Sequence, residues 1–204
     1  MKLTKKMVLT IGREYGSGGR VIAETVGKAL NIPVYDKNML ADIAKQSGMA
    51  EDRLKDEDER LSNPFFEPYI PYGIDTGSVG ERLFTSQSNL IRKKAANESC
   101  IFVGRCSDDV LREYDDCFHV YIFAPRVDRI KRIMEVEDIA DSLAAEKILK
   151  KMDKQRKSYY QFYTDRRWGS TEGKDLMINS SASGIEGAAD LILSFLVIKG
   201  YVED

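Results

Sequence analysis

The chain has 204 residues, 43% of them hydrophobic and 31% charged, with a net charge of −2 and an isoelectric point near 5.7. That composition excludes wholesale disorder, and the absence of a basic excess argues against a dedicated nucleic-acid binder. The single histidine, His119, excludes a multi-histidine metal site, and Cys100, Cys106 and Cys117, without Cys-x-x-Cys spacing, read as reduced thiols.

Met7 to Gly12 is a short apolar run ending in glycine and reads as a buried strand. Gly16-Ser17-Gly18-Gly19 follows, then a helix over 20–30 with Val21, Ile22, Val26, Ala29 and Leu30 at helical spacing. Asn31 to Asp36 is a second strand that ends on an acid, and a helix is expected over 37–46, stopping near Gly48. Residues 51–61 are dense in charge and suit an exposed helix. Residues 62–78 hold three of the five prolines with Phe65, Phe66, Tyr69 and Tyr72. They are too rich in proline for regular structure and too aromatic for simple disorder, so they read as a lid or an interface loop through which a homodimer is conceivable.

The pattern predicts a helix over 79–97, with Leu83, Phe84, Leu90, Ile91 and Ala95 on one side. Cys100 to Gly104 is a third strand with Arg105 straight after it, and Phe118 to Ala124 is a fourth, in which His119 reads as a packed residue. Pro125 opens a helix whose Arg126, Arg129 and Arg132 share a face, the usual mark of a solvated surface. A long charged helix is expected over 140–163, a fifth strand over 175–179, and a last helix over 185–199 capped by Ser180 to Ser183. The longest apolar run, Leu191 to Ile198, is shorter than a membrane span, and Met7 to Ile11 is too short for a signal-peptide core. A cytosolic protein with no membrane and no nucleic-acid partner is the expectation. Alternating strands and helices imply an α/β fold with a parallel sheet.

The strongest motif is Gly12-Arg13-Glu14-Tyr15-Gly16-Ser17-Gly18-Gly19-Arg20, between the first strand and the first helix. Glycines let backbone N–H groups converge on an anion, and the helix N-terminus adds positive potential. Against the phosphate-loop pattern G-x-x-x-x-G-K-[ST], Gly19 and Arg20 stand where lysine and the hydroxyl residue belong, so Arg13 and Arg20 are candidates to supply the missing charge. Gly104-Arg105 ends a strand, where ligands of open α/β sheets bind. Asp36, beside the loop, suits magnesium, directly or through water, or an acceptor hydroxyl, and equally suits a helix cap. Asp153 to Arg156, with Arg166 and Arg167 further on, place charge near the end of a long helix, as a lid over phosphates would need. Among Tyr159, Tyr160, Phe162 and Tyr163 between them, at least two are expected in the core.

Taken as an ordered set, Thr10 to Arg20, Pro33 to Lys37, Val103-Gly104-Arg105, Asp153 to Tyr160 and Asp175 to Asn179 resemble the cytidylate kinase-like family, relatives of cytidylate kinase among the P-loop nucleoside monophosphate kinases. The resemblance runs from about Met7 to Leu196. It implies one domain over 1–204 of P-loop NTPase type, three-layered α/β/α, with a five-stranded parallel sheet, a nucleotide-monophosphate subdomain within about 50–97 and a lid within about 140–172. It implies phosphoryl transfer from ATP, with Mg²⁺, to CMP or a related pyrimidine nucleotide. Gly16, Ser17, Gly18, Gly19 and Arg20 would cradle the donor phosphates. Arg13, Arg20, Asp36 and Arg156 would carry the chemistry. Asp36, Arg105, Arg129, Asp153, Arg156 and Arg167 would bind substrate, and Asp36 would hold the metal. Cys106 replaces the Asp of the family's Gly-Arg-Asp motif. A kinase for another small metabolite, or a nucleotide-binding regulator without turnover, are the alternatives.

Overall fold

The computed structural model describes residues 1–36 and 79–203. The helix expected over 37–46, the charged stretch 51–61 and the aromatic stretch 62–78 lie outside the described residues. In chain order the described elements are β1 (Lys2–Leu3), β2 (Val8–Arg13), α1 (Gly19–Leu30), β3 (Val34–Tyr35), α2 (Val79–Asn97), β4 (Cys100–Val103) and α3 (Ser107–Val110). Then come β5 (Cys117–Phe123), α4 (Arg126–Val136), α5 (Ser142–Tyr163), β6 (Leu176–Asn179), α6 (Ser180–Ile198) and β7 (Val202–Glu203).

The expected five-stranded parallel sheet is present, ordered β3-β4-β2-β5-β6. Its central strand β2 alternates strictly. Leu9 and Ile11 pack toward Ile22 and Val26 of α1 and Ile192 and Leu196 of α6. Val8 packs on the other face with Leu90 and Ile91 of α2, Phe102 and Leu111. Both faces are covered, so the strands read as continuous apolar runs. Successive connections leave β2 in opposite directions, to β3 and β4 on one side and β5 and β6 on the other. That opens the crevice beyond the carboxyl end of β2 where such sheets bind ligands.

Three local expectations need correction. Asn179, not the serines, caps α6: its side chain accepts from the Ser181 N–H (3.1 Å). Ser180 is already helical, in a short first turn that Gly184, at φ 71°, separates by a kink from the longer helix expected from 185. By length and composition α6 is apolar enough to cross a membrane, which the run 191–198 alone understates; here Ala188, Ala189, Ile192, Leu193 and Leu196 lie in the core. The two-residue strands β1 and β7 pair antiparallel and tie the chain's two ends together. They are too short to carry a periodic signal. All three cysteines are buried, free thiols.

Candidate active site

β2 ends mid-sheet, and the chain turns through Glu14 to Gly18 into α1. Gly16 (φ 74°) and Gly18 (φ 81°) take left-handed backbone. Packing excludes side chains there as well: a Cβ on Gly16 would lie 2.8 Å from the Arg129 carbonyl oxygen, and one on Gly18 would run into Ile185 Cδ1. Ser17 is fully buried, with its hydroxyl donating to the Glu14 carbonyl (2.8 Å) and its carbonyl accepting from the Ser180 hydroxyl (2.6 Å). The helix cap is Gly18, which has no side chain to occupy the first N–H groups of α1. Amides left open at a helix N-terminus, at the positive end of its dipole, are an anion site.

The loop is braced from α4 and α5. The Arg129 side chain is only 9% exposed. Its Nη1 lies 2.5 Å from Asp153 Oδ2 and donates to the Tyr15 carbonyl (3.2 Å). Its Nε approaches Glu14 Oε2 at 3.3 Å, an ion pair without hydrogen-bond alignment. Asp153 also accepts from the Tyr15 N–H (2.9 Å), and Glu14 accepts from the Ala124 N–H (3.1 Å). Arg132 donates to the Gly16 carbonyl (2.8 Å). Arg156 donates to the Arg13 carbonyl (3.2 Å) and lies over the Tyr15 ring at 5.2 Å. Burial, and then the hydrogen bond to Glu137, hold the Tyr15 phenol well above its usual pKa.

The arginine row of α4 is therefore not a solvated face. Arg126 pairs with Glu146, Arg129 is buried and Arg132 holds the loop. Its spacing was visible in the sequence, but the two carboxylates that receive Arg129 come from residues 14 and 153, far apart in the chain. Sequence reasoning assigns no role to Glu14, although it sits inside the motif, and reads Arg132 only as part of a solvated row.

Arg20 is largely exposed, paired with Glu24 (2.9 Å) and with Asp36 (3.4 Å). The structure thus brings together Arg20, just past the loop, and the acid at the end of β3. Arg13 turns toward β4: a Cβ on Gly104 would collide with its Nη1. That packing joins the glycine loop to the turn Gly104-Arg105-Cys106, where three consecutive residues are left-handed (φ 76°, 58° and 53°). Two of the three are not glycine, and strain of this kind gathers at functional sites. The Arg105 guanidinium lies 5.2 Å above the Tyr159 ring. Burial pushes the Tyr159 phenol up to about 12, against the pull of the Arg105 charge. Phe84 stacks on Tyr163 (4.1 Å) and meets Tyr159 edge-on (6.3 Å). Of the four aromatics at the end of α5, Tyr160 alone is fully buried; Tyr159 and Tyr163 are half-buried, and Phe162 is 68% exposed. Beneath the turn, Asp108 accepts from Tyr160 (2.9 Å) and Lys174 (2.6 Å), a brace the sequence did not signal. Arg167 is exposed beyond α5, next to Trp168, which meets Tyr121 edge-on.

The residues present fit the phosphates of a nucleotide, because the Gly18 cap leaves the first N–H groups of α1 without a side-chain partner at the positive end of the helix. They fit magnesium only as a phosphate-bound ion. Among the described residues no group of three potential ligands converges, and Asp36 stands as one carboxylate beside the loop. Magnesium characteristically takes one or two carboxylates plus phosphate oxygens and water.

A sequence model of the cytidylate kinase-like family matches residues 8–182. A cytidylate kinase of Methanococcus aeolicus is 25% identical over 189 residues, covering 91% of this chain and 95% of that protein. Among solved structures, an uncharacterized protein from Eubacterium ventriosum is 30% identical, with a TM-score of 0.72 over 94% of this chain and 98% of that one. Shikimate kinase from Acinetobacter baumannii, at 12% identity and a TM-score of 0.53 over 96% of this chain and 95% of that one, shares the fold.

Proposed function

The chain belongs to the cytidylate kinase-like family, and we propose that it transfers the terminal phosphoryl group of ATP to a pyrimidine nucleoside monophosphate, CMP first among them. A kinase acting on a nucleotide or small molecule follows from the family; the finer reading draws its support from one observation. Loop, Arg20, Asp36 and the Arg105 turn meet at the carboxyl edge of the sheet, with Arg13 bridging donor and acceptor sides.

In this reading the amides of Gly16 to Gly19 and the N-terminus of α1 bind the donor phosphates, with Arg20 supplying charge where the usual lysine is absent. Arg105 binds the acceptor. Arg156, on the inner side of α5, stands near the path of the transferred group. Phosphoryl transfer has a loose transition state whose charge spreads over the equatorial oxygens, so positioned guanidinium groups do most of the work. Magnesium bound to the phosphates would neutralise part of their charge, with Asp36 holding its water shell. Asp36, paired with Arg20, orients that cation toward the loop.

The test is ADP formation with CMP, dCMP, UMP, AMP, GMP or no acceptor. Strong turnover with a pyrimidine monophosphate, and little without acceptor, is expected. Arg20→Ala should cut kcat by roughly 10³-fold, the scale of an arginine serving the transferred phosphoryl. Its stability should change by under about 0.5 kcal/mol, since the side chain is a surface group. Silence across the panel would sink the nucleotide reading, and unchanged turnover in Arg20→Ala would remove Arg20 from it.

A further inference from the structure

Helix α2 reaches the carboxyl edge of the sheet carrying two buried polar atoms without a hydrogen-bond partner among the described residues. It joins β4 through Glu98 and Ser99 alone and so runs back along that strand, with Leu90, Ile91 and Ala95 in one cluster with Cys100 and Phe102. Gln87 lies about 15 Å up the helix from Asn97, at 1.5 Å per residue. β4 rises about 13 Å over its length. Gln87 and Ser88 therefore stand level with the Gly104-Arg105-Cys106 turn, and α2 packs against α3, which follows that turn. Phe84 lies one helical turn further out on the same face, against the aromatic ring that carries Arg105.

Gln87 and Ser88 are each 4% exposed, and among the described residues neither Gln87 Oε1 nor Ser88 Oγ has a hydrogen-bond partner. A buried amide oxygen and a hydroxyl left so are a standing cost to the fold that Met and Ala would not carry. Nearby, Cys106 is buried, with its thiol held protonated by burial and by Asp108. It offers no carboxylate to an acceptor ring.

We infer that Gln87 and Ser88 read the ring edge of the acceptor: Gln87 Oε1 accepts an N–H from an exocyclic amine, and the Ser88 hydroxyl donates to the adjacent ring nitrogen. The acceptor is then an aminopyrimidine nucleotide in preference to its oxo counterpart. This rests on the protein being a nucleoside monophosphate kinase and assigns the residues that set its base preference.

The experiment compares kcat and KM for CMP and UMP in the wild type, Gln87→Met, Gln87→Glu and Ser88→Ala, with denaturation midpoints for each. A site that loses its partner for a substrate N–H loses discrimination steeply, so Gln87→Met should raise the KM for CMP roughly 10–100-fold and narrow the CMP-to-UMP ratio accordingly. Its midpoint should hold or rise, because an unpartnered polar group is gone. Gln87→Glu keeps an acceptor and should keep the preference for CMP. Ser88→Ala should weaken CMP several-fold, and it supplies the answer if Gln87→Met fails to fold. A CMP-to-UMP ratio in Gln87→Met and Ser88→Ala within about twofold of wild type overturns the inference while leaving the kinase standing. So does a wild type that does not prefer CMP to UMP. A wild type inactive on every nucleoside monophosphate overturns the kinase reading, and this inference with it.

Discussion

The two sides of the site are held in different ways. Around the glycine loop most polar groups are matched inside the protein: Arg129 to Asp153, with its Nε in ion-pair contact alone with Glu14, Arg132 to the Gly16 carbonyl, Ser17 to Glu14 and Ser180. On the side we propose for the acceptor, Arg105 lies on an aromatic ring in a left-handed turn, and among the described residues the buried Gln87 Oε1 and Ser88 Oγ have no hydrogen-bond partner. A phosphate is held by amides and charges that can be fixed in advance, which is how preorganised sites gain their strength. A base edge is read by groups that must stay open until it arrives. Damage to the first side should register as stability and damage to the second as substrate preference.

The sharpest break of that contrast is Arg129→Ala. It leaves Asp153 and Glu14 as two partly buried carboxylates with their shared cation gone. Removing one member of a buried ion pair costs about 3–5 kcal/mol. Urea denaturation should show a loss of that size with an unchanged m-value, and the KM for ATP should rise. A loss under about 1 kcal/mol, as for a surface pair, would mean the loop is not braced in this way.

A smaller effect tests the floor of the acceptor side. Tyr160→Phe removes one hydrogen bond to Asp108 and leaves Lys174 in place. The cost should be about 1–2 kcal/mol, the range for a hydrogen bond to a charged group. Because α3 follows the Arg105 turn directly, the KM for the acceptor should rise while that for ATP holds. Equal movement of the two would erase the distinction between the sides.

How much of this the sequence disclosed follows from the range of each signal. The five strands and the helices over 19–30, 79–97, 126–136 and 142–163 stood out because burial on both faces writes apolar runs and 3.6-residue periodicity into contiguous residues. The loop was legible because glycine at 16 and 18 is a local requirement of backbone and packing. Arg129 was misread as part of a solvated row because its partners are 115 and 24 residues away, and a helical face does not say what it faces. Glu14 and Asp108 are ordinary acids until Arg129 and Lys174 arrive from elsewhere in the chain. Gln87 and Ser88 interrupt the apolar face of α2 and look like tolerated substitutions; only their burial marks them.

The smallest effect concerns His119, where β2 and β5 meet beneath both sides. Its Nδ1 is hydrogen-bonded to the buried Thr10 hydroxyl (2.7 Å), the residue opposite it in register. Burial holds its pKa below the ordinary 6.5, although Asp108 and Asp175 pull upward. The unfolded chain therefore binds this proton more readily than the folded one. Stability is complete above the unfolded value, falls as pH drops through about 6.5, and levels once pH passes below the folded value. His119→Gln should flatten that slope when denaturation midpoints are followed from about pH 7.5 down to 5.5, above the range where carboxylates dominate. The CMP-to-UMP ratio should not move with it, because the imidazole belongs to the shared sheet and touches neither the loop nor the acceptor edge. A slope that survives the substitution would show that the acid sensitivity in this window does not come from His119.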